Sequence, residues 1–328
     1  MRRLSVREEV WPLARPFVIS RGSKTEARVV VVDIEDEDGR ARGRGEGVPY
    51  PRYDETVEGV LAQIDAVRDE IEAGLDRMRL QTRLPPGAAR NAVDCALWDI
   101  EAKQAGARAW TLAGLSEPHP VTTAFTLSLD TPQAMADAAR AAADRPLLKV
   151  KIGGANDLDR VEAVRSAAPG ARLIVDANEA LSFDELSRLA PEFKKLGVEL
   201  IEQPLPTGAD EALENYRSPV TLCADESLHT RAELDACARR YGAINVKLDK
   251  TGGLTEALAL IDAARARDLK LMIGCMVSTS LSIAPALLCA QGAMVADLDG
   301  PLLLAKDRVP GLSFNGSLIA PPPPALWG

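Results

Sequence analysis

The sequence predicts an α/β fold, a parallel (β/α)8-type barrel carrying an N-terminal α+β capping domain. From Val121 onward, short apolar runs alternate with amphipathic stretches eight times. Several of those runs end in a charged residue, at intervals of about one barrel unit. The first 115 or so residues follow a different, hairpin-and-helix pattern.

In the N-terminal part, the β-branched run Val29 to Ile34, the Asp38-Gly39 turn signal and the return over Arg40 to Glu46 predict an antiparallel hairpin. Thr56 to Ala73 and Ala88 to Gln104 have helical spacing of apolar residues, the second with Ala92, Cys95, Ala96 and Ile100 on one face. The eight later runs cover 122–128, 147–152, 172–178, 199–205, 221–227, 243–248, 270–276 and 294–298. Between them, Ser182 with Glu185 and Thr230 with Glu233 have capping-box spacing, and Gly197 and Gly242 suit helix ends. The expected division is a cap over 1–117, a barrel over 118–310, and a C-terminal segment over 311–328 that returns to the cap.

With 46% hydrophobic and 27% charged residues in 328, the composition is that of a globular protein. A net charge of −9 with no dense basic stretch argues against nucleic acid as a partner. Met1 to Pro16 lacks the apolar core of a secretory signal, and Leu281 to Ala296 is broken by Pro285, Gln291 and Gly292, so no membrane span is expected. These features predict a soluble, cytoplasmic protein and leave a homo-oligomer open. Five widely spaced cysteines without a Cys-x-x-Cys pair read as buried thiols, and two histidines without ligand spacing disfavour zinc.

Lys151, Asp176, Glu202, Asp225 and Lys247 each close an apolar run, at successive gaps of 25, 26, 23 and 22 residues. In a parallel barrel the carboxyl ends of all strands face one mouth, so these side chains can converge. Three carboxylates gathered there repel one another unless a cation neutralises them, and magnesium suits an all-oxygen set. The plainer alternative is that each acid caps a helix or pairs with a surface base. Lys151 and Lys247 fall on opposite sides of the acids; singly each could be a solvated strand-end lysine. A lysine base needs its charged form destabilised, which Lys149 and a cation can do for Lys151. Together the groups suit removal of a proton from the α-carbon of a carboxylate. A base on each face would invert that carbon.

These residues, with Ala-Val-Asp-Cys-Ala-Leu-Trp-Asp over 92–99, the Lys149-Val150-Lys151 motif, Asn-Val-Lys-Leu-Asp-Lys-Thr-Gly-Gly over 245–253, Ile-Gly-Cys-Met over 273–276 and Ala-Asp-Leu-Asp-Gly-Pro over 296–301, span nearly the whole chain. They resemble the muconate-lactonising-enzyme subgroup of the enolase superfamily, and within it the dipeptide epimerases, above all those acting on L-Ala-D/L-Glu. The resemblance implies a (β/α)7β modified TIM barrel, Lys151 and Lys247 as acid/base groups, and one Mg2+ per subunit on Asp176, Glu202 and Asp225. It implies Lys149 beside the substrate carboxylate and Asp297 with Asp299 on the substrate ammonium. Those two acids, at alternate positions, are expected to project to one side of the last strand; a strand-end acid pair facing water is the alternative. The loops Phe17 to Lys24 and Val48 to Tyr53 would be lids, with Gly22 letting the first close and Arg21 and Lys24 as cations for a glutamate side chain. Relatives often carry arginine where Lys24 stands, which loosens the expectation of strict glutamate specificity. Thr126 is either a hydroxyl contact to substrate or a buried strand threonine. The implied activity is interconversion of L-Ala-L-Glu and L-Ala-D-Glu in murein peptide metabolism. An N-acylamino acid racemase, an o-succinylbenzoate synthase or a muconate cycloisomerase on the same scaffold is the enzymatic alternative, and a non-catalytic barrel binding protein the remote one.

Overall fold

A computed structural model describes residues 2–154 and 157–328. Its N-terminal sheet has the order β1 (Arg3–Ile19), β2 (Gly22–Glu35) and β3 (Arg42–Gly47), all antiparallel. The predicted hairpin is the β2–β3 pair, turning through Gly39 at φ 70°. β1 was not assigned from the alternation of charged and apolar residues over its first part; its place is fixed by non-local pairing with the valine run of β2, as in Val6↔Val32 and Glu8↔Val30. The segment expected to be a loop over Phe17 to Lys24 is instead a tight hairpin tip, with Ile19 opposite Gly22 and only Ser20 and Arg21 turning.

The helix expected over 56–73 breaks at Val67 into Val57–Ala66 and Arg68–Glu72. Helix Ala88–Ala105 is buried almost all round, not on one face, because it lies between the cap sheet and the barrel. Its contact with β3 is backbone to backbone. A Cβ on Gly43, Gly45 or Gly47 would stand 2.1, 2.0 or 2.2 Å from the carbonyl oxygens of Ala96, Ala92 and Ala88. Alternate strand residues thus meet successive helix turns, and only glycine fits.

The barrel strands are β5 (Phe125–Leu127), β6 (Leu147–Lys151), β7 (Arg172–Asp176), β8 (Val198–Glu202), β9 (Thr221–Ala224), β10 (Ala243–Val246), β11 (Lys270–Gly274) and β12 (Val295–Asp297), parallel and paired in sequence order. All eight predicted runs are present. The Thr123↔Ala296 bridge and the Ala124 N–H donating to Ala296 O at 2.8 Å bring the ends of the sheet together. β4 (Val121–Thr122) joins β13 (Phe314–Asn315) and β14 (Leu318–Ile319) in a small separate sheet. After β12 comes a single turn, Gly300–Leu303, in place of a full helix.

Both predicted capping boxes form, and Gly197 takes φ 74° at a helix end. Gly242 does not act as a left-handed cap, since helix Leu234–Arg240 ends in extended backbone at Tyr241. The stretch after β8 forms only a 3-10 segment, Asp210–Asn215, where Pro204, Pro206 and Gly208 precede it. At the far end of the chain the Trp327 indole donates to Cys95 O at 2.9 Å and Gly328 N–H to Asp99 Oδ1 at 2.7 Å, on the buried cap helix. Among the described residues no helix is long and apolar enough to cross a membrane.

Candidate active site

Strand alternation decides which side chains enter the barrel. Ala124, Leu147, Ile174, Leu200, Cys223, Ala243, Met272 and Val295 form one buried apolar cluster, the barrel floor. Two residues further along the same strands, on the same face, come Thr126, Lys149, Asp176, Glu202, Asp225, Asn245, Gly274 and Asp297; Lys151 and Lys247 follow two residues later. The polar residues thus form a layer above an apolar one.

Above them a cavity of about 1150 Å³ opens between barrel and cap. Lys149, Lys151, Asp225, Lys247, Thr126, Asp297 and Asp299 line it from below, and Phe17, Arg21, Lys24, Tyr50 and Tyr53 from the cap side. Asp176 and Glu202 have no exposed surface. Lys149 covers them: its Nζ lies 3.0 Å from Asp176 Oδ2, 2.7 Å from Glu202 Oε2 and 2.7 Å from Asp297 Oδ2.

The two predicted acid/base lysines stand at opposite ends of the acid row. Lys151 Nζ donates to Asp176 Oδ2 at 2.6 Å and to Asn178 Oδ1 at 3.0 Å. Lys247 Nζ donates to Asp225 Oδ2 at 2.6 Å and lies 4.0 Å from Glu202 Oε1. Burial alone would raise the carboxyl of Asp176, but the Lys149 and Lys151 ammonium groups hold it below the ordinary range. Burial of Asp225 is likewise overridden by Lys247 and Lys250. At Lys247 burial would lower the ammonium, yet Asp225 and Glu202 hold it well above its ordinary value.

Among the described residues no three carboxylate, imidazole or thiolate groups could hold one cation as the side chains lie. Lys149 instead fills the space against Asp176, Glu202 and Asp297. The donor chemistry nevertheless suits a divalent ion. Glu202 Oε2, though 2.7 Å from Lys149 Nζ, lacks a hydrogen bond of proper geometry. Burial and the charge of Asp176 push Glu202 up to about 8, so the row is short of positive charge there. Three oxygen-only donors on adjacent strands match a hard cation of the magnesium type.

The other predicted contacts divide. Asp299 lies beyond β12, which ends at Asp297, so the two acids do not share a strand, although both line the cavity. Thr126 N–H donates to Asp299 Oδ2 at 2.7 Å, and burial together with Asp297 pushes Asp299 up to about 7. Arg21 is already engaged, donating to Glu226 Oε1 and Asn178 O, each at 2.7 Å. Lys24 lies 4.7 Å over the Tyr50 ring, its pKa lowered by burial and by Arg21.

Lys250 went unread in the sequence. It is buried, and its ammonium donates to Asp225 Oδ1 at 2.6 Å, to Asp225 O, and to Asn245 O at 2.9 Å. The turn Leu248–Thr251 brings it back under Asp225. Asn245, whose Nδ2 donates to Glu202 Oε1 at 2.7 Å, could have been read from its position two before Lys247 on an inward face. Asn178 and Glu226 were also missed, lying one or two residues past acids already chosen.

Residues 1–114 match the mandelate racemase / muconate lactonizing enzyme N-terminal domain, and residues 134–309 the enolase C-terminal domain-like family. The chain is 50% identical over 317 residues to the L-Ala-D/L-Glu epimerase of Escherichia coli (strain K12), covering 96% of this chain and 98% of that one. It is 44% identical over 285 residues to an N-acetyl-D-glutamate racemase of a Pseudoalteromonas species, covering 86% and 90%. A crystal structure of an enolase family member from Agrobacterium tumefaciens with homology to dipeptide epimerases, holding sodium and L-Ala-L-Glu, superposes with a TM-score of 0.97 at 51% identity over the whole of both chains. Other solved dipeptide epimerases of this fold are complexed with Mg and a dipeptide. With both domains matched and half the residues shared with a relative of equal span, the chain belongs to the mandelate racemase / muconate lactonizing enzyme family of the enolase superfamily.

Proposed function

We propose that the chain is a magnesium-dependent dipeptide epimerase that interconverts L-Ala-L-Glu and L-Ala-D-Glu in murein peptide metabolism. What carries the reading is a pair of amines at the two ends of one buried acid row, Lys151 against Asp176 and Lys247 against Asp225, with β8 and its Glu202 between.

Asp176, Glu202 and Asp225 would hold the cation, which when bound supplies positive charge to the substrate carboxylate and lowers the cost of removing the neighbouring α-proton. Lys149 then serves the same carboxylate. One lysine, as the neutral amine, takes the α-proton from one face and becomes an ammonium. The other, starting as an ammonium, gives a proton to the opposite face and becomes an amine. The α-carbon is inverted with no net change in protons. The carboxylates that now hold Lys247 protonated release it once their charge is met otherwise.

Asp297 Oδ1 is buried without a hydrogen-bond partner and, with Asp299, offers acceptors for a substrate ammonium. Lys24 is the cation for the glutamate side chain, as a point charge beside Arg21. In this reading residues 1–117 cap the mouth, 118–310 carry the chemistry and 311–328 tie the end back to the cap. Proton NMR of L-Ala-L-Glu with magnesium in heavy water tests it. Loss of the α-proton signal of the glutamate together with appearance of L-Ala-D-Glu is expected; neither change would reject it.

A further inference from the structure

Asn178 and Glu179, just past Asp176, take φ of 43° and 69° in succession. A left-handed non-glycine residue costs on the order of 1 kcal/mol or more, so a consecutive pair persists only where its surroundings impose it. At Asn178 the impositions come from two sides. From the barrel, the Lys151 ammonium donates to Asn178 Oδ1 at 3.0 Å. From the cap, the hairpin tip grips the Asn178 carbonyl, with Arg21 donating at 2.7 Å and the Ser20 hydroxyl at 3.3 Å.

Glu226 closes the arrangement. Its Oε1 accepts from Arg21 at 2.7 Å and from Asn178 Nδ2 at 3.4 Å. The Asn178 amide therefore has only one sensible orientation: an ammonium can only donate, so the amide oxygen faces Lys151, and an ionised carboxylate can only accept, so the amide nitrogen faces Glu226. The tip reaches this seat because residue 153 is glycine. A Cβ there would lie 2.4 Å from Ser20 Cβ.

We propose that Asn178 is the positioning residue for the Lys151 amine and that Arg21, rather than touching substrate, sets Asn178 from the cap, so that seating the hairpin tip also aims the amine. This rests on the reading of Lys151 as one of two acid/base groups. With the tip lifted, the Asn178 carbonyl loses both donors and the residue can leave its strained conformation. The amine then keeps Asp176 as its partner and is drawn toward the acid row, away from the cavity. Proton transfer requires the reacting atoms about 3 to 3.5 Å apart, and a displacement of about 1 Å costs on the order of a hundredfold in rate.

The test uses the full chain with magnesium in heavy water, starting separately from L-Ala-L-Glu and L-Ala-D-Glu. Each epimer presents its α-proton to one lysine. In Asn178→Ala and Arg21→Gln, exchange from one epimer should fall by about a hundredfold, and inversion with it, while exchange from the other epimer persists. Gly153→Ala should reproduce the asymmetry without removing any polar group. The double variant Arg21→Gln/Asn178→Ala should be no slower than Asn178→Ala, because both act along one path. Amide hydrogen exchange over residues 17–24 should accelerate in Arg21→Gln independently of turnover. Equal slowing from both epimers, a KM increase alone in Arg21→Gln, or additive effects in the double variant would overturn the proposal. A wild-type chain that exchanges neither epimer would overturn the dipeptide-epimerase reading instead.

Discussion

Lys250→Met removes a buried ammonium and keeps most of the side-chain volume. The ammonium satisfies three acceptors, Asp225 Oδ1, Asp225 O and Asn245 O, with no exposed side-chain surface. Deleting one partner of a buried ion pair leaves an uncompensated charge and costs about 3 to 5 kcal/mol. At about 2.1 cal/mol/K of unfolding entropy per residue, a chain of 328 residues has roughly 0.7 kcal/mol/K, so the melting temperature should fall by about 4 to 7 °C. The measurement is a thermal melt in chelator and again in saturating magnesium. A cation held by Asp225 would supply the charge that the methionine lacks, so magnesium should raise the variant's melting temperature more than the wild type's. A melt in chelator within about 1 °C of wild type would refute the ion-pair argument, since the smallest expected cost is several times larger. An equal magnesium shift in both proteins would refute the assignment of Asp225 to the cation.

Three further outcomes follow from the same geometry. Gly45→Ala would drive a Cβ to 2.0 Å from Ala92 O, where neither backbone can yield, so it should cost more than about 3 kcal/mol by chemical denaturation, while Gly39→Ala, with open space around it, should cost less. Burial pushes Asp249 up to about 7, although Val48 N–H and Asn91 Nδ2 donate to it. A raised carboxyl contributes stability that is present below its unfolded value near 3.8 and is lost as pH rises through about 7. Asp249→Asn should therefore flatten the decline in stability between pH 4 and 8, and an unchanged pH profile would contradict the assignment. Asp297→Asn should lower kcat/KM for L-Ala-L-Glu by about thirtyfold or more through loss of a charged contact, yet alter turnover of an N-acylated glutamate far less. Equal activity on the dipeptide would favour a substrate without a free ammonium.

The barrel was legible because each strand carries a dense apolar run and the inward parity then follows from a period of two. Asp176, Glu202 and Asp225 could be read together because they recur one unit apart. β1 was not legible as a strand, since only Leu4 of its residues is fully buried and its place is specified by its partner β2. Lys250 was hidden because its significance depends on one helical turn folding back beneath Asp225. The partners of Arg21 were hidden for a different reason. Its approach to the mouth follows from the hairpin, but its engagement by Glu226 joins residues 205 positions apart, a separation no local pattern reports.

The eight-residue apolar floor makes the chamber a cul-de-sac. A second hollow of about 390 Å³ at the opposite end of the barrel shares no lining residue with the chamber among those described. Among the described residues, the chamber is thus approached by water, ions and ligand from beneath the cap and not through the floor. While a ligand fills that approach, the apolar floor offers a proton lifted from it no polar path to the far end of the barrel, so its replacement by a solvent deuteron awaits departure or rotation of the carrier amine.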